Sequence, residues 1–384
     1  MNRKKAGFAT RSIHVGNEPD PSTGAVAPPI FATSTYAQEE LGKTKGYDYS
    51  RVGNPTRTRL EQNLASLEGG LAARVFSSGM ASVSALASLM KAGEHIVASN
   101  NLYGGVPRLF NQVLANFGLE FTYVDTTDPR NVTKAIRKST RFVYIETPTN
   151  PLMGLTDIAA VSEIAHKRGC QVVVDNTFMS PYFQQPIKFG ADIVLHSTTK
   201  FLNGHSDGIG GALVCTTQEQ AERLAFVQKA VGAILSPFEC WLVLRGVKTL
   251  AVRMKQHDEN GRVIADYLSK HGKVKKTYYP GLKSHPQYEL ACRQMSGFGA
   301  LITFETGSLA NAKKLLKRVR VCTLGESLGG VETLISHPAT MTHAAIGARG
   351  RRAIGLTDGM VRISVGIEDV EDLIADLEQA LAGI

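Results

Sequence analysis

Short apolar runs alternate with stripes of helical spacing through most of the chain. Ile96–Ala98, Phe121–Val124, Phe142–Ile145, Gln171–Val174, Ala191–Leu195 and Gly211–Val214 have the pattern of short buried strands. Helical spacing lies between them. Arg59–Leu67 puts Leu60, Leu64 and Leu67 on one stripe, Ser77 opens an apolar helix running to Met90, and Ile158–Arg168 forms a third. Strand followed by helix, repeated, predicts an α/β fold with a mainly parallel, doubly wound sheet. A helical pattern from Phe238 to about His271 then leads into a second unit. There we expect a strand over Leu301–Phe304, a helix over 309–319, strands near Val321 and Leu334, a strand over Val361–Ser364 and a closing helix from Val370 to Leu381. Residues 1 to about 56 have no clear period and carry Pro21, Pro28, Pro29 and Pro55. They predict an extended N-terminal arm, for which a partner subunit is the natural surface. The division is therefore an arm over 1–56, a larger domain over 57–250 and a smaller α/β C-terminal domain over 251–384.

Composition narrows the class. A chain of 384 residues is long for one compact core and comfortable for two. With 20% charged and 43% hydrophobic residues it is an ordinary globular chain. The net charge of +9 comes with basic clusters such as Lys313, Lys314, Lys317, Arg318 and Arg320, which fit a solvated helix face. No aromatics interleave them, so nucleic acid is not an expected partner. The positive balance suits an anionic cofactor and amino-acid substrates, though weakly. Five cysteines lie singly with no Cys-x-x-Cys pair, which argues against a disulfide framework or zinc ribbon and for a reducing compartment. The basic start, Met1–Lys5, is followed by no apolar signal core. No apolar run approaches the ~20 residues that span a membrane, so we expect a cytoplasmic protein. His196, His205, His337 and His343 lack tight ligand spacing, and no metal site is expected.

The candidate chemistry gathers at strand ends. Asn150, Asp175 and Lys200 each lie at or just after the carboxyl end of an expected strand, where ligands of doubly wound sheets sit. Lys200 is either a surface lysine or a buried one whose charge is removed by forming an imine with an aldehyde. Ser197 and Thr199, two apart, share a face on an extended chain and suit one phosphate. Gly79, at a helix mouth, lets backbone N–H groups approach a phosphate favoured by the helix dipole. Asp175 is either a turn cap or the partner of a protonated ring nitrogen. Tyr103, in Leu102-Tyr-Gly-Gly105, is a turn aromatic or a ring-stacking one. Arg362, inside an apolar strand, is a surface residue or a carboxylate clamp.

Several motifs together carry a family resemblance. They are Tyr49-Ser-Arg51 with Gly53-Asn-Pro-Thr56, Ser77-Ser-Gly-Met80, Leu102-Tyr-Gly-Gly105, Glu146-Thr-Pro-Thr-Asn-Pro151 and Val174-Asp-Asn-Thr177. After these come Ser197-Thr-Thr-Lys200 with Asn203-Gly-His-Ser-Asp207, Glu326-Ser-Leu-Gly-Gly330 and Met341-Thr-His343. The set, covering nearly the whole chain, resembles the transsulfuration family of pyridoxal-phosphate enzymes. That family includes cystathionine γ-synthase, cystathionine γ-lyase, cystathionine β-lyase and methionine γ-lyase. The resemblance implies an aspartate-aminotransferase-like fold, with pyridoxal 5'-phosphate bound by the 57–250 domain, and a homotetramer of two catalytic dimers. By position, Lys200 and Tyr103 resemble the catalytic lysine and ring-stacking tyrosine, and Asp175 the ring-nitrogen partner. Gly79, Met80, Ser197 and Thr199 resemble the phosphate cradle, joined by Tyr49 and Arg51 from a neighbouring subunit. Asn150, Ser327 and Arg362 resemble the contacts to the substrate α-carboxylate and ring oxygen.

Glu326 precedes Ser-Leu-Gly-Gly as in many γ-synthases and γ-lyases, and Arg108 lies where several members hold the distal carboxylate of cystathionine. Gly105 stands where methionine γ-lyases typically carry cysteine. Val106-Pro107 before Arg108, and Thr198 in place of a common alanine, depart from the usual pattern. The activity expected first is γ-elimination of L-cystathionine to cysteine, 2-oxobutanoate and ammonia. The alternatives are γ-replacement on O-acetyl- or O-succinylhomoserine, then β-elimination, and, from another class, metabolite binding without catalysis.

Overall fold

The computed structural model describes residues 6–344 and 347–384, so the basic start Met1–Lys5 lies outside the described residues. The larger sheet has seven strands: β1 (Ala72–Phe76), β2 (His95–Ser99), β3 (Glu120–Val124), β4 (Thr140–Glu146), β5 (Gln171–Asp175), β6 (Ile193–Ser197) and β7 (Gly211–Cys215). Their order across the sheet is β1-β7-β6-β5-β4-β2-β3. Six of them run in one direction, β6, β5, β4, β2 and β3 in parallel pairs and β1 beyond β7, while β7 opposes them and pairs antiparallel with both β6 and β1.

Alternation along β4 shows why both faces are covered. Phe142 and Tyr144 join one apolar cluster with Val83, Leu86, Val106, Phe110 and Leu224. Val143 and Ile145 join the other, with Leu60, Leu64, Ile158 and Val161. A strand buried on both faces reads as a continuous apolar run, which is how the sequence shows it. The second cluster also takes in Ile302, Phe304, Ile335, Val361 and Ile363 from a smaller sheet. That sheet contains β8 (Lys276–Tyr278), β9 (Leu301–Glu305), β10 (Thr323–Leu324), β11 (Leu334–Ser336) and β12 (Met360–Ser364), ordered β10-β11-β12-β9-β8.

Several elements differ from the sequence reading. The pattern expected over Phe238–His271 is two helices, Pro237–Val247 and Leu250–Lys270, separated at Lys248 and Thr249. The helix expected from Ser77 to Met90 spans Gly79–Ala87, because the Ser78 side chain caps it by accepting the Ala81 N–H at 3.0 Å. Strand β1 and the helices Gly105–Gln112 and Gln218–Val231 were not expected. Nor was a helix in the arm, yet Phe8–His14 forms one. It is tied to the chain's own helix Pro55–Glu68, where Asn63 donates to the Val15 carbonyl at 2.8 Å. From about residue 21 to 49 the arm is largely exposed.

Candidate active site

The ends of β4, β5 and β6 are neighbours, with Glu146 in register with Asp175 and Asp175 with Leu195. Just beyond them lies a cavity of ≈ 860 Å³. Its wall includes Asp175 and Arg362, from strands of the larger and the smaller sheet, and Tyr103, Asn150, Lys200 and Ser327 from connecting segments.

Lys200 follows three residues after the last residue of β6, and its backbone N–H turns back onto the Ser197 carbonyl. Its Nζ donates to Ser327 Oγ at 2.7 Å. Burial, together with the Arg362 charge and partly offset by Glu326, lowers the amine from 10.5 to about 8. The surface-lysine alternative therefore falls away. Ser327 reaches the amine from a backbone at φ +98°, a left-handed conformation that costs a non-glycine residue energy. Arg253 steadies the segment after the lysine, donating to the carbonyls of Phe201 at 2.8 Å and Gly246 at 2.9 Å. Gly204 lies against that guanidinium at φ +75°, where a Cβ would sit 2.1 Å from Arg253 Nη1.

Asp175 caps the turn, as the first alternative has it, and it also stands on the cavity wall. Its Oδ1 accepts the Thr177 N–H at 3.0 Å, and it lines the cavity. Burial pushes its carboxyl up, against the opposing effects of Thr177 and the His196 charge. Behind the wall His196 and Glu68 pair at 2.5 Å, both buried.

Arg362 is 2% exposed and faces the cavity, which removes the surface reading. Its Nη1 donates to Asn150 Oδ1 at 3.0 Å and its Nη2 to the Ser327 carbonyl at 2.8 Å, while Nε has no protein partner. Burial lowers it to about 10, opposed by Glu326 and Glu146.

Ser78, Gly79, Met80, Ser197 and Thr199 line one end of the cavity, at the mouth of the Gly79–Ala87 helix. Gly105 makes room for the aromatic beside it. A Cβ there would lie 2.6 Å from Tyr103 Cε1 and 2.9 Å from Met80 Sδ.

Three expected site residues stand outside this wall. Arg108 is exposed on the helix Gly105–Gln112 and is not among the lining residues. Tyr49 is exposed, and so is Arg51, whose guanidinium lies over the Tyr49 ring at 5.3 Å and donates to the Lys229 carbonyl at 2.6 Å. Glu326 and Ser327 do line the cavity. Two contributors escaped the sequence reading. Glu146 had a signal, an acid ending an apolar strand as Asp175 does. Arg253 had none, since an arginine in a helical pattern reads as a solvated one.

A model of the Cys/Met metabolism PLP-dependent enzymes matches residues 9–382. The chain belongs to that family. It is 50% identical over 375 residues to the cystathionine γ-lyase of Bacillus subtilis, covering 98% of this chain and 99% of that protein. It is 49% identical over 383 residues to a cystathionine β-lyase of Coxiella burnetii, covering 99% of each, and proteins named cystathionine γ-synthase match at 48%. Among solved structures, cystathionine γ-lyase from Lactobacillus plantarum complexed with L-serine superposes with a TM-score of 0.97 at 46% identity, covering 99% of both chains. As a Cys/Met metabolism enzyme the chain uses pyridoxal phosphate, and the cavity suits it. An acid whose charge burial disfavours suits a cationic ring nitrogen, a lysine amine is lowered to about 8 by burial, and a helix mouth faces hydroxyl groups. Among the described residues no cluster suits a metal ion, and no helix is long and apolar enough to cross a membrane.

Proposed function

We propose that this Cys/Met metabolism enzyme cleaves L-cystathionine by γ-elimination, consuming water and giving cysteine, 2-oxobutanoate and ammonia. The observation that carries a lyase chemistry is the Lys200 amine, lowered to about 8 and standing 2.7 Å from Ser327 Oγ in the same cavity as Arg362. The 50% identity to a protein named cystathionine γ-lyase favours the γ reaction.

Lys200 and Asp175 would hold the cofactor, with Tyr103 against its ring and Gly79, Met80, Ser197 and Thr199 around its phosphate. Bound pyridoxal phosphate supplies an electron sink for the bond broken at Cα. Arg362 offers its guanidinium to the substrate α-carboxylate, oriented by Asn150 and the Ser327 carbonyl. Lys200, neutral above about pH 8, takes a proton at Cα and then moves protons at Cβ, the step that frees the γ-sulfur. Ser327 keeps the amine aimed between these positions. Glu326, beside it on the wall, partly offsets the effect of burial and of the Arg362 charge on the Lys200 amine.

The active form on this reading is a homotetramer of two catalytic dimers, in which Tyr49 and Arg51 reach the phosphate of a second copy. Their exposure in the single chain supports that role. The five free cysteines suit a reducing compartment, and we assign the enzyme to the cytoplasm. The relatives at 48% named γ-synthase favour a second reading, γ-replacement on an activated homoserine.

Product identification tests the choice. With cystathionine alone the expected products are cysteine and 2-oxobutanoate. Homocysteine and pyruvate as dominant products would overturn the proposal in favour of β-elimination. Faster formation of cystathionine from cysteine and O-acetyl- or O-succinylhomoserine than its breakdown would overturn it in favour of the synthase.

A further inference from the structure

Glu146 is the last residue of β4 and only 4% exposed. Its side chain accepts two backbone N–H groups from two different loops. Oε2 takes the Tyr103 N–H at 2.8 Å, from the loop after β2, and Oε1 takes the Asn150 N–H at 3.1 Å, from the loop after β4. The first loop carries the aromatic on the cavity wall. The second carries the amide whose Oδ1 receives Arg362 Nη1 at 3.0 Å. One carboxylate therefore ties the ring-facing loop and the carboxylate-facing loop to the end of one strand.

That position is costly. Burial, and then the Asp175 carboxylate on the neighbouring strand, push Glu146 up to about 8, while the two N–H bonds and the Arg362 charge oppose the rise. Ionised, as it is above about pH 8, the carboxylate offers one acceptor oxygen to each of the two donors. A neutral amide offers only one acceptor and turns an N–H₂ toward the other N–H.

We propose that Glu146 is a positioning residue that fixes the Tyr103 and Asn150 loops in one frame, so that cofactor ring and substrate carboxylate are aligned together. It acts through those loops and touches neither reacting atom. The inference rests on the site reading above, in which Tyr103 faces the ring and the Asn150–Arg362 pair holds the carboxylate.

The test is run at about pH 9, where Glu146 is ionised, and uses holoenzyme and glycine, an amino acid with no γ-substituent to lose, with binding read from the change in the cofactor's visible band. Glu146→Gln is expected to weaken glycine about tenfold, and Asn150→Ala about as much. The double variant should be no more than about twofold weaker than the worse single, because the two act on one contact. Loss of pyridoxal phosphate on gel filtration should also be faster for Glu146→Gln, through the Tyr103 loop. Should Glu146→Gln fail to fold, Glu146→Asp keeps the charge one methylene short and should show the same non-additivity with Asn150→Ala. Glycine affinity within twofold of the unsubstituted enzyme, or losses that multiply in the double variant, overturns the proposal, even if the melting temperature drops. A different failure marks the parent reading. There the unsubstituted holoenzyme shows no spectral change with glycine, or Arg362→Ala binds it normally.

Discussion

The inner wall of the cavity and its rim are built differently. On the wall, Lys200 and Arg362 have their pKa values displaced downward and Glu146 and Asp175 upward, in each case chiefly by burial. Each also has a definite partner: Ser327 for Lys200, Asn150 for Arg362, backbone N–H groups for the two acids. At the rim, Tyr49, Arg51 and Arg108 are exposed, and Arg51 rests on a backbone carbonyl and a tyrosine ring of its own chain. These wall groups find their partners within one chain. The roles proposed for the rim residues need something more, a second copy for Tyr49 and Arg51 and a two-headed substrate for Arg108.

The sharpest way to break this contrast separates wall and rim onto different chains. Lys200→Ala alone should lose about 10²–10⁴-fold in activity, the range for a positioned proton-transfer group. Arg51→Ala alone should be nearly inactive through poor cofactor retention. Mixing the two under subunit exchange should restore activity, because one of the two sites in a hybrid dimer keeps both residues. Stable hybrids without recovered activity would return the arm to its own subunit. A smaller effect is expected at Arg108. A charge-assisted pair with a carboxylate is worth about 1.5–3 kcal/mol, so Arg108→Ala should cost roughly ten- to a hundredfold in kcat/KM for cystathionine. Substrates without the distal carboxylate should lose far less. Equal losses on every substrate would remove that role from Arg108.

The same contrast governs what the sequence revealed. Wall residues at strand ends were legible because an ionisable group beside an apolar run demands a partner, as Asp175 and Lys200 show. Glu146 obeys that rule too, yet what it binds is two backbone groups from separate loops, and no pattern encodes those. Arg253 was hidden because its acceptors, the carbonyls of Phe201 and Gly246, are likewise backbone. Among the elements, strands with an unbroken apolar run, such as Ile193–Leu195 within β6, declared themselves, whereas β1, Ala72–Phe76, is interrupted by Arg74 and is fixed by antiparallel pairing with distant β7. The run 238–271 keeps helical spacing across the break at Lys248 and Thr249, so periodicity alone joined two helices.

The central claim is that the fold tunes one lysine, Lys200, to carry the cofactor and move protons. Cofactor-free protein is mixed with pyridoxal phosphate across a pH series, the rate of appearance of the visible band is followed, and borohydride then fixes the label for peptide mapping. Only the neutral amine attacks an aldehyde, and the amine's value is lowered from 10.5 to about 8. The rate should therefore rise with pH to a midpoint near 8 and level off above it, with the label on Lys200. A rate still climbing toward pH 10.5, or a label on another lysine, would contradict the account.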